Sequence, residues 1–260
     1  MRGVAVVTGA GRPTGIGFAT ARALSRDGWP VLLSDLSLDG MALEGLPGGT
    51  EVATFAADVT RSSQVEELAD FAIGRFGEIG AWINNAGAVA GTGPLADVTD
   101  EGWAKAMAVN ADGSFFGVRA ALRRMAESDQ AGGRIVNVSS HAGKSAPAHF
   151  SAYAAAKFAV IGLTQSAAAE VGVRGITVNA VCPGTVETPL LDEPAGVWET
   201  MAEQRGISVE QVRERARRAN PIGRLIEPQE VADTIAYLCS DAAAGINGAA
   251  INVTGGQGMH

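Results

Sequence analysis

The stretch Arg134–Lys157, RIVNVSSHAGKSAPAHFSAYAAAK, carries three side chains whose types and spacing suit proton transfer. Tyr153 and Lys157 are four apart, so a helix places them on one face. A phenol ordinarily titrates near about 10. A neighbouring ammonium favours the phenolate and lowers that value. Tyrosinate then becomes a usable general base close to neutrality. Ser140 stands thirteen residues before Tyr153, at the end of an apolar run. Its hydroxyl there can hold a substrate oxygen as charge develops on it. A Tyr-x-x-x-Lys pair alone more often marks a solvated helix face, and the strand-end serine is what distinguishes this one.

A second chemistry lies at the start of the chain. VAVVTG runs into AGRPTGIG and then into a helical pattern. A strand, a glycine-rich turn and a helix N-terminus make an anion site, because backbone N–H groups and the helix dipole both favour a phosphate. Gly9 permits the tight turn, Gly15 lets a pyrophosphate approach the backbone beside Ile16, and Gly17 lets the helix pack close to the sheet. Thr14 is either a hydroxyl donor to the pyrophosphate or the N-cap of the helix. Asp35 ends the next apolar run, where a carboxylate accepts from ribose hydroxyls and repels a 2′-phosphate. With Leu36 rather than a cation after it, Asp35 points to NAD. Arg12, in the turn, is the opposing feature, and a helix N-cap is the structural alternative for Asp35.

These groups must be positioned by alternating elements. Apolar runs at Gly3–Thr8, Pro30–Asp35, Thr50–Ala56, Ala81–Asn84, Arg134–Ser139, Ile176–Val181 and Ala249–Val253 read as strands. Their continuity suits strands buried on both faces. Helical patterns fall at Gly15–Asp27, Ser62–Phe76, Glu101–Glu127, Ser151–Val171 and Gln229–Cys239, with a weaker one at Leu38–Leu46. The expected fold is α/β: one Rossmann domain over residues 1–260, a doubly wound seven-stranded parallel sheet with helices on both faces. Val186–Pro228 breaks the rhythm as a charged helical insertion, and long insertions of this kind often form lids.

Composition narrows the class. The 260 residues include 34 glycines without a collagen period, 47% hydrophobic residues and a net charge of −8. The chain therefore has enough apolar surface for a core, and it lacks the clustered basic footprint of a nucleic-acid partner. Two cysteines make no disulfide framework, and no run is long enough to span a membrane. A cytoplasmic protein is expected. Three scattered histidines and two cysteines suggest no metal site.

Taken together, these motifs resemble the short-chain dehydrogenase/reductase family over essentially the whole chain. The glycine turn, Asn84-Asn85-Ala86-Gly87, Asn110, Ser140, Tyr153, Lys157 and Pro183-Gly184 fall in the family's order and spacing. The resemblance implies that Tyr153 is the acid/base. Lys157 would lower its pKa and grip the nicotinamide ribose, and Ser140, favoured over Ser139 by the spacing to Tyr153, would position the oxygen. Asn110 would break the long helix and hold a relay water. Asn85, Ala86 and Gly87 would lie under the adenosine side, Asp58 and Val59 beside the adenine. Pro183, Gly184, Val186 and Thr188 would meet the carboxamide end. One departure stands out: two extra residues, placed at Pro13-Thr14, lengthen the turn between Gly9 and Gly15. The resemblance also implies a homodimer or homotetramer built through the long helices and the C-terminal segment.

The expected activity is reversible oxidation of a small secondary alcohol, such as a sugar or polyol, to its ketone with NAD. A 3-oxoacyl thioester reductase is the alternative, which would favour NADPH and a basic patch; a non-catalytic dinucleotide-binding regulator is the third. For the substrate side, His141, His149 and Trp198 are candidates, each with a structural alternative. The arginines 205, 213, 215, 217 and 218 could bind an anionic substrate, but Arg213, Arg217 and Arg218 are expected mainly to pair with Glu210 and Glu214 on a solvated helix face.

Overall fold

A computed structural model describes residues 2–38, 43, 46–47, 49–127, 132–192 and 196–258. Seven parallel strands form one sheet in the order β3-β2-β1-β4-β5-β6-β7. They are β1 (Val4–Thr8), β2 (Val31–Asp35), β3 (Val52–Ala56), β4 (Ile79–Asn84), β5 (Gly133–Val138), β6 (Ile176–Pro183) and β7 (Ala250–Val253). The strands read as continuous apolar runs because both faces are covered. Alternate residues of β1 go opposite ways. Ala5 and Val7 pack with α1 (Ile16–Arg26) and α8 (Pro228–Cys239). Val4 and Val6 pack with α2 (Ser62–Phe76), α4 (Gly113–Glu127) and α5 (Ser151–Val171). The chain leaves β1 toward β2 on one side and reaches β4 on the other. That reversal opens a crevice at the carboxyl ends of the strands, where open α/β sheets bind ligands.

The structure sharpens the sequence reading in several places. The helical pattern Glu101–Glu127 is divided into α3 (Asp100–Met107), a π-helical turn over Ala108–Asp112, and α4, with the break at Asn110 where the family resemblance implied it. The N-cap of α1 is Gly15, which offers no side chain, so Thr14 is not the cap. The weak helix at Leu38–Leu46 falls largely outside the described residues. The insertion folds as α6 (Val197–Arg205) and α7 (Val209–Ala219) around a small core of its own, Trp198, Ala202, Val212 and Leu225. Ser208 and Gln211 form a capping box at the start of α7. Its neck is closed by a parallel bridge between Val186 and Ile226, with Glu187 N–H donating to Ile226 O at 2.9 Å and Ile226 N–H to Thr185 O at 3.0 Å.

Candidate active site

The candidate proton-moving groups converge at the carboxyl ends of β4 and β5. Ser140 follows β5, and its Oγ accepts from Ala142 N–H at 3.1 Å, starting a short 3₁₀ turn that fixes the hydroxyl. Tyr153, in the first turn of α5, shares a hydrogen bond with Ser140. Lys157, one turn on, is 3% exposed. Its Nζ donates to Val138 O at 2.9 Å and lies 5.7 Å from the centroid of the Tyr153 ring. Burial lowers Lys157 to about 8, opposed by the field of Cys182. Burial also raises Tyr153, against the hydrogen bond from Ser140. The phenol depression expected from the lysine is therefore not the resting state of this pocket: burial outweighs the Ser140 hydrogen bond and leaves a neutral phenol. Ser139 turns away, donating to Lys157 O at 2.9 Å, so its hydroxyl braces α5 instead of facing Tyr153.

Asn110 sits in the π-helical turn and is fully buried. Its side chain donates to Ala88 O and Ala106 O, each at 2.9 Å, and accepts from Ala88 N–H at 3.3 Å. The extra residue in the turn thus ties the helix to the loop after β4. Ser114 Oγ donates to Asn110 O at 2.7 Å. Gly87 lies against this group: a side chain there would meet Asn110 Oδ1 at 3.0 Å and Lys157 Nζ at 3.4 Å.

The residues that could hold a dinucleotide run along the same crevice. Gly9 adopts φ +65°, and a side chain would strike Ala86 Cα at 2.6 Å. A side chain on Gly17 would collide with Gly9 O. Asn85 Nδ2 donates to Thr8 O at 2.8 Å and Gly9 O at 2.9 Å, while Thr8 Oγ1 accepts from Asn85 and Ala86 N–H. Thr8, read from the sequence only as the end of the first strand, joins the two loops through its hydroxyl. The inserted residues bulge outward: Gly15 N–H donates to Arg12 O at 2.9 Å, and Arg12, Pro13 and Thr14 are exposed. Asp35 accepts from Gly11 N–H at 2.7 Å and Leu36 N–H at 2.8 Å, which aims its carboxylate at the glycine turn.

Asp58 accepts from Thr60 N–H at 2.9 Å and Thr60 Oγ1 at 2.7 Å. Burial alone would raise its pKa, but the Thr60 hydrogen bonds and the charge of Arg61 bring it below the usual value. Val59 packs on Gly113 at the start of α4. Beyond β6, Gly184 N–H donates to Val253 O at 3.0 Å, and Thr188 Oγ1 donates to Val186 O at 3.4 Å. A glycine cradle, a helix start without a side-chain cap and a carboxylate at the second strand fit the groups of a nicotinamide dinucleotide.

Of the substrate candidates, Trp198 is 4% exposed within the core of the insertion, so it anchors α6 and α7 and presents no open face. His141 follows Ser140, and its imidazole presses on Gly258. His149 is the one non-glycine residue with positive φ, +70°, among the described residues, and its carbonyl accepts from Gly93 N–H at 2.8 Å. Most of the expected arginine pairs form: Glu214 meets Arg217 and Arg218, and Arg217 also reaches Glu210. Arg213 instead pairs with Asp192 and lies over the Trp198 ring, 6.0 Å from its centroid. Among the described residues no group of three His, Cys, Asp or Glu side chains could hold a metal ion, and no helix is long and apolar enough to cross a membrane.

A family model described as enoyl-(acyl carrier protein) reductase matches residues 9–258. The chain is 39% identical over 256 residues to cis-4-hydroxycyclohexanecarboxylate dehydrogenase of Sinomonas cyclohexanicum, covering 97% of this chain and 95% of that one. It is 34% identical over 256 residues to D-beta-hydroxybutyrate dehydrogenase of Cupriavidus necator, covering 97% and 96%. Among solved structures, a variant of actinorhodin polyketide ketoreductase with NADPH superposes with a TM-score of 0.88 at 36% identity, covering 100% of this chain and 98% of that one. The chain belongs to the short-chain dehydrogenase/reductase family. It is an oxidoreductase of that family, whose members use a nicotinamide dinucleotide.

Proposed function

We propose that the protein is an NAD(H)-dependent dehydrogenase that interconverts a small secondary alcohol and its ketone. The observation that carries the cofactor choice is Asp35. Its carboxylate is fixed by Gly11 and Leu36 N–H at the end of β2. A fixed negative charge there disfavours a 2′-phosphate and leaves acceptor capacity for two ribose hydroxyls. When bound, a nicotinamide dinucleotide supplies the redox chemistry, a hydride given or taken. Gly9, Gly15, Ile16 and Gly17 would hold its phosphates, and Asn85 to Gly87 with Asp58 and Val59 would flank the adenosine. Pro183, Gly184, Val186 and Thr188 would hold the carboxamide end.

Ser140 Oγ, fixed by Ala142, orients the substrate oxygen. Tyr153 exchanges a proton with that oxygen through its hydroxyl. In the resting pocket the phenol is neutral, the form that donates when a ketone is reduced. Lys157 supplies the positive charge that favours the phenolate when the alcohol is oxidised. The relatives support a hydroxy compound with a second oxygen function, since the named dehydrogenases act on a hydroxycyclohexanecarboxylate and a hydroxybutyrate.

The second reading is a 3-oxoacyl thioester reductase, favoured by the ketoreductase structure with NADPH and by the exposed Arg12 beside the turn. Comparing kcat/KM with NAD and with NADP decides the cofactor, and a clear NADP preference would overturn the reading of Asp35. A screen of polyols, sugars, hydroxy acids and cyclic alcohols, run beside oxoacyl thioester reduction, identifies the substrate. Tyr153→Phe should bind NADH normally and lose at least about a hundredfold in kcat. Unchanged turnover would sink the proposed proton transfer.

A further inference from the structure

Thr254–Gly258, the turn that follows β7, touches three parts of the crevice at once. Gln257 Oε1 accepts from Thr185 N–H at 3.3 Å and from Thr185 Oγ1 at 3.5 Å. A side chain on Gly184 would meet the same oxygen at 2.8 Å, so Gln257 fills the space beside that glycine. Gly258 presses on the His141 imidazole next to Ser140. The far end of the insertion is gripped as well. Asn220, 1% exposed, donates from Nδ2 to Thr254 O at 3.3 Å. A side chain on Gly255 would strike the Asn220 amide, and one on Gly256 would meet Pro221 at 3.1 Å. The turn is itself tied by Asn252 Nδ2 and Thr254 Oγ1, which donate to Gly258 O at 3.1 and 3.3 Å.

The turn therefore contacts both ends of the neck from which α6 and α7 project. Thr185 leaves the sheet on one side and Asn220 returns on the other. Thr185 also accepts from Ile226 N–H, so the two sides of the neck are already joined. We propose that Gln257 is a positioning residue for the dinucleotide: its amide oxygen sets the backbone of Gly184 and Thr185, the segment that meets the carboxamide end. The inference rests on the dinucleotide reading of the crevice. The geometry asks only for an acceptor at Thr185 N–H, not for the amide nitrogen.

The test measures the dissociation constant of NADH by fluorescence titration for the intact chain and for two near-isosteric variants. Gln257→Met keeps the bulk and removes the acceptor; Gln257→Glu keeps an acceptor. The expected result is about tenfold weaker NADH binding for Gln257→Met, with Gln257→Glu within about twofold of wild type. The ligand-free unfolding midpoints of all three should agree within about 2 °C. NADH binding by Gln257→Met at wild-type strength would overturn the inference alone. So would equal weakening in both variants, since bulk and not the acceptor would then matter. A wild-type chain that binds no NADH would overturn the reading of the crevice and this inference with it.

Discussion

Lys157 is a cation held where the surroundings do not favour one. Burial brings it to about 8 from an ordinary 10.5, while its Nζ donates to Val138 O at 2.9 Å. At pH 7 the group is still protonated, at a cost of about 3 kcal/mol relative to water. Replacing buried ions with apolar groups of similar volume is neutral or stabilising by roughly 1–4 kcal/mol. Lys157→Met should therefore be about 2 kcal/mol more stable than wild type at pH 7 and catalytically inactive. The sign with pH follows from linkage. Between about 8 and 10.5 the unfolded chain keeps a proton that the native chain has released, so wild-type stability rises with pH relative to the variant. Urea unfolding of both proteins from pH 7 to 10 should show the gap closing. A Met variant less stable at pH 7, with a gap independent of pH, would show that the ammonium is well compensated in the fold.

At the level of elements, a buried polar chain joins the sheet to the helices that carry the site. Trp82 Nε1 donates to Asn84 Oδ1 at 2.8 Å, Asn84 Nδ2 to Asn137 Oδ1 at 2.8 Å, and Asn137 Nδ2 to Thr164 Oγ1 at 2.9 Å. β4, β5 and α5 are thereby fixed in one register. Gly117 of α4 lies directly on it: a side chain would collide with Asn84 Oδ1 and meet Trp82 Nε1 at 2.6 Å. Gly117→Ala should cost about 2 kcal/mol by overpacking and broken hydrogen bonds, read as a lower urea midpoint with unchanged slope. Wild-type stability would mean that α4 shifts freely on the sheet.

This contact was legible from Gly117 only as a close helix approach, because the partner is 33 positions away in the chain. The strands were legible because alternate residues meet helices on both faces, which leaves unbroken apolar runs. The helix break at Asn110 is invisible to local periodicity, since its cause is a tie to Ala88 across the crevice. Trp198 could be read two ways because one aromatic in a charged insertion does not reveal the small core that α6 and α7 build around it. At the phosphate turn, two residues more than the family spacing announced a bulge. Its outward course depends on the Arg12–Gly15 hydrogen bond, which the sequence does not show.

The whole molecule leaves one face of its helical layer unfinished. A groove between α4 and α5 is lined by Phe115, Val118, Leu122, Leu163 and Ala167 and rimmed by Arg119 and Glu170. Phe115 is 43% exposed, and a side chain on Gly162 would meet nothing within 4 Å. Gly162 therefore does not serve packing within the chain, and its open surface is suited to a close approach from outside. Soluble chains seldom leave contiguous apolar grooves uncovered. The expected occupant is a second copy, as the family resemblance implies, and α5 carries both Tyr153 and Lys157, so association would brace the helix on which proton transfer depends. Sedimentation should give a multiple of the 26.5 kDa chain mass. Leu163→Arg, which puts a charge into the groove, should yield a smaller species with NADH affinity within about twofold of wild type and kcat reduced about tenfold. None of the residues proposed to hold the dinucleotide lines this groove, so its affinity would be spared. A wild-type monomer at micromolar concentration would overturn the assignment, and so would a monomeric Leu163→Arg variant with full kcat overturn the bracing of α5.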